Sequence, residues 1–277
     1  MSLAARGKGC KHRIVMAMGI ALVTGGTSGI GAAFAQELAL RGNDLVLVAR
    51  DRERLDSTAA TLRGMGRSVE TIAADLANRD DVARVAARLE DLDQPIDILI
   101  NNAGFGIRGS LIDVDTTELD RGIEVMCRTV LVLSGAAARG MRVRGSGHIV
   151  NVSSTAGFLT MGGYSAIKAW VTSFTESLAV ELKGTGISVT ALCPGWVRTE
   201  FHQRAGIQSG SIPSALWLDS ERLVKVCLDD VDKGKVISIP TVRYRALMFL
   251  LRHAPRSAVR AVSGALSSGR RKQAVSG

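Results

Sequence analysis

The feature that most restricts this chain is an alternation. Short β-type runs, GIALVT (19–24), DLVLVA (44–49), SVETIA (68–73), IDILIN (96–101), HIVNVS (148–153), ISVTALC (187–193) and KVISIP (235–240), are separated by helical stretches such as IGAAFAQELALRG, RDDVARVAARLED and WVTSFTESLAVELKG. Several runs are almost continuously apolar, as expected of strands covered on both faces. Parallel strands need crossovers, usually helical and right-handed. The pattern predicts an α/β protein with a doubly wound, seven-stranded parallel sheet and helices on both faces. With 277 residues and 46% hydrophobic composition, the chain can bury one large core, and no repeat or low-complexity linker divides it. The expected organisation is a basic N-terminal extension (1–18), a single domain (19–240) with a mobile loop or lid at 200–219, and a basic amphipathic tail (241–277), read as an appendage.

The first run opens into a glycine turn. In LVTGGTSGIGAAFAQEL, Gly25, Gly29 and Gly31 form G-x-x-x-G-x-G between a strand and a helix. Glycines there let the backbone approach a pyrophosphate closely, and the helix offers unpaired N–H groups at its positive end. A turn that merely needs positive φ would use the same residues, but the strand–turn–helix setting favours a dinucleotide. Further on, the second run ends VARDR. An acid at such a place binds a ribose 2′-hydroxyl, whereas an arginine suits a 2′-phosphate. Ala49 and Arg50 therefore favour NADP(H). Asp51 keeps NAD(H) as the alternative, unless it caps the next helix.

GGYSAIKAW (162–170) contains Tyr164, one of two tyrosines in the chain, with Lys168 four positions on. Positions i and i+4 share a helix face. A phenol at its ordinary pKa is a poor acid–base catalyst at neutral pH, and a neighbouring ammonium favours the phenolate. An ordinary amphipathic pair, a core ring beside a solvated amine, is the other reading of this spacing.

Charge and cysteines exclude other classes. The net charge of +9 comes from the two ends: Arg6, Lys8, Lys11 and Arg13, then Arg243, Arg245, Arg252, Arg256, Arg260, Arg270, Arg271 and Lys272, with no acid in either stretch. The body is slightly acidic, so the basic balance does not mark a nucleic-acid docking face. Cys10, Cys127, Cys193 and Cys227 are scattered without metal-ligand spacing, which predicts no metal site and a reducing, cytoplasmic setting. KHRIVMAMGIALVTGG loosely imitates a signal peptide but lacks a small-residue cleavage site and runs into the glycine turn, so it reads as a buried first strand. RALMFLL (245–251) is too short to span a bilayer.

Taken together, T-G-x-x-x-G-x-G and Y-x-x-x-K resemble the short-chain dehydrogenase/reductase family in its shorter, single-domain branch. NNAG (101–104), NVSSTAG (151–157) and CPGWVRTE (193–200) follow the fourth, fifth and sixth runs in that family's order. The resemblance implies a Rossmann-type fold and interconversion of a carbonyl and an alcohol by hydride transfer. Tyr164 would be the general acid/base, Lys168 would lower its pKa and bind the nicotinamide ribose, and Ser154 would polarise the substrate oxygen. Cofactor contacts would come from Thr24, Gly25, Thr27, Ser28, Gly29, Ile30 and Gly31 in the turn, and from Arg50 after the second strand. Asp75 and Leu76 of ADL would lie at the adenine, and Asn102, Ala103 and Gly104 along the cleft. Pro194, Gly195 and Val197 would wall the nicotinamide, with Thr199 on its carboxamide. Dimers or tetramers are the family's usual assemblies.

Two departures stand out. The helix after NNAG usually carries an asparagine that holds a water for proton supply, and the matching position here is Met126, whose thioether accepts weakly and cannot donate. Ser154 precedes Tyr164 by ten positions, fewer than usual, which leaves Ser153 as a competing register. These departures support an alternative, a dinucleotide-binding regulator or scaffold with impaired catalysis. Phe158, Leu159, Met161, Phe201, Ile207, Ile212, Leu216 and Trp217 suggest a hydrophobic, steroid- or fatty-acyl-like substrate; ordinary core packing would use most of the same residues. Arginines alternating with apolar runs in the tail suggest peripheral membrane contact; a solvated helix over the site mouth would show the same pattern.

Overall fold

The structure, a computed structural model, describes residues 19–107, 110–199 and 217–264. The N-terminal extension, the end of the tail, and Phe201, Ile207, Ile212 and Leu216 of the expected lid lie outside the described residues. The strands are β1 (Ile20–Thr24), β2 (Asp44–Ala49), β3 (Val69–Ala73), β4 (Ile96–Asn101), β5 (Gly147–Val152), β6 (Ile187–Leu192), β7 (Trp196–Val197), β8 (Trp217–Leu218) and β9 (Ile237–Ser238). Seven of them form one parallel sheet in the order β3-β2-β1-β4-β5-β6-β9. Helices α1 (Gly29–Leu40), α2 (Arg52–Gly64), α3 (Arg79–Glu90), α4 (Thr117–Ile123), α5 (Thr129–Arg144), α6 (Gly163–Glu181), α7 (Ser220–Asp232) and α8 (Val242–His253) surround it.

Strand periodicity explains why the runs are apolar throughout. Ala21, Val23, Leu45, Leu47, Ile98 and Ile100 face one core, against Phe34 and Leu38 of α1, Leu55 and Leu62 of α2, and Leu223 and Val224 of α7. Their neighbours Leu22, Val46, Val48 and Leu99 face the other, against Val85 and Leu89 of α3, Leu133 and Met141 of α5, and Ile167 and Leu178 of α6. Both faces are dry, and a charge at any of these positions would sit in a core.

The strand order reverses between β1 and β4, so the loops leaving their carboxyl ends diverge and open a crevice there. Two details differ from the sequence expectation. β9 is shorter than 235–240 because it lies at the sheet edge, paired only through Ala191 and Leu192 of β6. The ribbon of β7 with β8 was not foreseen, since two-residue strands leave no periodic signal.

Candidate active site

The glycine turn is set by sterics. Gly25 has φ 65°, which L side chains disfavour, and a methyl on Gly31 would run into the Gly25 carbonyl. Ser28 caps α1 by backbone position without a side-chain bond, leaving the helix's first N–H groups pointed at the crevice. The NNAG loop is stitched to this turn. Thr24 Oγ1 accepts the N–H groups of Asn102 (2.9 Å) and Ala103 (3.1 Å), and the Asn102 amide donates to the carbonyls of Thr24 (3.0 Å) and Gly25 (3.3 Å). A close-approach backbone cradle under a helix N-terminus fits a dinucleotide pyrophosphate. Thr27, Ser28 and Ile30 are partly exposed on its rim.

At the end of β2, Arg50 is exposed, while Asp51 accepts the Arg54 N–H at 3.1 Å and caps α2. The acid is thus engaged in helix capping and the arginine faces outward. Asp75 accepts from Arg121 through both carboxylate oxygens at 2.9 Å. Burial alone would raise its carboxyl, but the Arg121 fork, the Ala77 N–H and, more weakly, Arg50 hold it below the usual range. Leu76 sits in the core with its carbonyl taken by Thr129 Oγ1 (2.8 Å).

The two serines after β5 have different surroundings. Ser153 is buried, its hydroxyl donating to the Lys168 carbonyl at 2.7 Å and meeting Thr172 Oγ1. Ser154 is half-buried, accepts the Ala156 N–H at 3.1 Å, and hydrogen-bonds the Tyr164 hydroxyl. The structure therefore brings Ser154, not Ser153, to the phenol. Helix α6 begins just before Tyr164, after Gly162 at φ 89°, and presents Tyr164 and Lys168 on one face. Lys168 Nζ lies 5.7 Å from the Tyr164 ring centroid and donates to the Val152 carbonyl at 2.8 Å.

With protein groups alone, burial and Ser154 set the electrostatics of the phenol. Burial pushes the Tyr164 pKa well above its ordinary value, opposed by the Ser154 hydrogen bond. Burial also pulls Lys168 down to about 8, with Cys127 and Cys193 acting the other way. Those thiols are raised by burial to about 11 and about 12 and stay neutral. With protein groups alone, the phenol is a protonated donor at neutral pH.

Met126 occupies a π-helical turn (Glu124–Arg128) between α4 and α5 and is 1% exposed, its Sδ close enough to touch any Cβ placed at Gly104. Such single-turn bulges recur at functional sites. The bulge is present without a polar side chain at its centre.

The opposite wall comes from the segment after β6. The Pro194 carbonyl accepts from Thr155 N (2.9 Å) and Oγ1 (3.1 Å), Val197 is buried in β7, and Thr199 lies against Gly29. Thr199 therefore stands over the glycine-turn end of the crevice. Sequence reasoning missed Tyr244. Its ring lies flush on Gly195, and its hydroxyl accepts the Trp196 N–H at 3.2 Å. Ser263 Oγ, further along the tail, accepts the Thr160 N–H at 3.0 Å. The tail is thus part of the site's wall. The available signal was that the second of two tyrosines stands in a tail otherwise lacking aromatics apart from Phe249.

Comparisons with known proteins identify the family and the fold. The family described as short chain dehydrogenase matches residues 19–209. Dehydrogenase/reductase SDR family member 4 of Sus scrofa is 33% identical over 218 residues, covering 77% of this chain and 74% of that protein. A short-chain dehydrogenase from Sphingobium yanoikuyae in complex with NADPH is 37% identical with a TM-score of 0.77, over 86% of this chain and 96% of that one. The bulky-bulky ketone specific alcohol dehydrogenase from Comamonas testosteroni is 33% identical with a TM-score of 0.73, over 86% and 95%.

Proposed function

The chain belongs to the short-chain dehydrogenase/reductase family and is an NAD(P)-dependent oxidoreductase acting on an alcohol–ketone pair; from that premise we propose that it reduces a bulky apolar ketone with NADP(H), Tyr164 giving the proton. The hydrogen bond joining Ser154 and Tyr164 beside Lys168 carries this reading. The turn from Thr24 to Gly31 would hold the pyrophosphate, Arg50 the 2′-phosphate, and Asn102–Gly104 and Pro194–Thr199 the two sides of the cofactor. When bound, the reduced nicotinamide supplies hydride.

The chain's own groups do the rest. Ser154 and Tyr164 aim two hydroxyls at one substrate oxygen and polarise the carbonyl. Burial keeps the phenol protonated, so its O–H is ready to pass to the developing alkoxide. The phenolate left behind is stabilised by the Lys168 ammonium. In the oxidative direction the same phenol would have to ionise first, which burial opposes. Phe158, Leu159 and Met161, between Ser154 and Tyr164, are partly buried, as is Trp217, 6.3 Å from Trp196. These apolar groups support a bulky ketone, as does the specificity named for the Comamonas testosteroni relative.

The proposal extends to assembly and setting. Leu131 and Val143 on α5, and Trp170 and Val180 on α6, are exposed and suit a dimer or tetramer built through those helices. The buried free thiols Cys127, Cys193 and Cys227 suit a reducing compartment, the cytoplasm.

The test is NADPH oxidation against a panel of apolar ketones and β-keto acyl-CoA compounds, with Tyr164→Phe as control. Turnover lost in Tyr164→Phe while NADPH still binds supports the proposal. Intact NADPH binding with no turnover across the panel would leave a dinucleotide-binding regulator.

A further inference from the structure

Helix α8 has two apolar faces. Tyr244, Met248 and Leu251, at i, i+4 and i+7, turn toward the body; Tyr244 and Met248 are buried. Val242, Ala246, Phe249, Leu250 and His253, at i, i+4, i+7, i+8 and i+11, form a second stripe on the opposite side. That stripe faces solvent: Val242 is 70%, Phe249 64% and Leu250 66% exposed, and the Phe249 and His253 rings meet at 4.2 Å. A helix that only covers a site mouth would carry polar residues there.

Charge surrounds the stripe on both sides. Arg245 and Arg252 flank one edge and Arg243 the other, all exposed, followed by Arg256 and Arg260 on the next helical stretch (256–264), where Val262 is also exposed. Arg252 also reaches Glu176 at 3.7 Å. Residues 241–277 contain no aspartate or glutamate. Among the described residues no helix is long and apolar enough to cross a membrane. An apolar strip bordered by arginines fits the boundary of an anionic bilayer, with acyl chains against the strip and headgroup phosphates against the guanidinium groups. A second copy would bring the same positive border against itself, and like charges oppose that pairing.

We propose that the outward face of α8 docks the protein on anionic membrane surfaces. The inference goes beyond the catalytic reading, because it concerns a face turned away from the crevice. Through Tyr244 on Gly195 and Trp196, the docked helix is also the one that buttresses the site wall, so an apolar ketone dissolved in lipid would be met close to the bilayer.

The experiment is co-sedimentation of the full chain with phosphatidylcholine vesicles, with and without phosphatidylglycerol. Two variants are compared, Phe249→Asp with Leu250→Asp, and Arg245→Gln with Arg252→Gln, each checked for unchanged NADPH binding. The expected result is partitioning that requires phosphatidylglycerol and falls with salt. The apolar pair of substitutions should abolish it, and the arginine pair should weaken it about 25-fold, from roughly fivefold per charge. Absence of partitioning, equal binding to neutral vesicles, or binding undiminished by either variant would overturn the proposal. So would a loss of oligomeric mass in Phe249→Asp with Leu250→Asp when the wild type ignores vesicles, since the face would then belong to a second copy.

Discussion

Lys168 Nζ stands 5.7 Å from the centre of the Tyr164 ring and gives one of its protons to the Val152 carbonyl at 2.8 Å. The ammonium is anchored to the end of β5, so it holds a fixed place relative to the phenol. The phenol is in turn tied to Ser154, and the three groups, one from the loop after β5 and two from α6, form one device.

Removing the proton donor should separate binding from chemistry. Tyr164→Phe is expected to lower kcat for ketone reduction about 10²- to 10⁴-fold, the usual weight of a positioned general acid. Ser154→Ala should cost less, because the phenol still reaches the oxygen. Steady-state kinetics with NADPH fluorescence titration checks both, and the NADPH Kd should stay within about twofold of wild type, well under the 1.4 kcal/mol of a tenfold change.

The lysine should make activity and stability respond oppositely to pH. Its ammonium is needed to steady the phenolate, so kcat/KM for reduction should fall as pH rises through about 8. For stability, the folded pKa lies below the unfolded value of 10.5, so the unfolded state binds more protons between the two. The penalty for burying the charge is full below pH 8, of the order of 3 kcal/mol at 1.36 kcal/mol per pKa unit, and it is relieved as pH climbs toward 10.5. Lys168→Met should therefore raise Tm at pH 7, partly offset by the lost bond to Val152, and the gain should shrink toward pH 10.5 in a calorimetric pH series.

Cofactor preference should follow Arg50. A charge-assisted hydrogen bond contributes about 1.5–3 kcal/mol, so Arg50→Ser should raise KM for NADPH roughly 10- to 100-fold. KM for NADH should change little, since Asp51 remains occupied at the α2 cap. A parallel loss for both cofactors would contradict the assignment.

The wall made by Gly195 and Tyr244 should behave as a packed pair. A methyl at Gly195 would fall inside the Tyr244 ring, and overpacking of this kind costs about 1–3 kcal/mol. Gly195→Ala should lower Tm and raise the ketone KM, and Gly195→Ala with Tyr244→Ala should recover part of both losses. Additive damage in the double variant would show that the two residues do not meet.

How much of this was legible in the chain depends on the range of each interaction. The apolar runs, the glycine turn and the four-residue spacing of Tyr164 and Lys168 all express contacts between near neighbours, so the sheet, the cradle and the pairing could be read directly. Arg50 and Asp51 were legible as a pair of options, and the structure adds that the acid caps α2. The short β7–β8 ribbon and the π-helical turn at Met126 had no periodic signal strong enough to announce them.

Sequence alone determined the alternation, and with it which residues could enter a parallel sheet and which glycines a phosphate could approach, because those properties are local to a strand or one helical turn. Tertiary structure decided that Ser154 rather than Ser153 meets the phenol, that burial holds the Tyr164 hydroxyl protonated, and that Tyr244 props Gly195. It also decided that α8 spends only one of its apolar faces on the body. Solvent exposure and electric field at a side chain depend on what distant elements cover it, and no stretch of chain contains that information by itself.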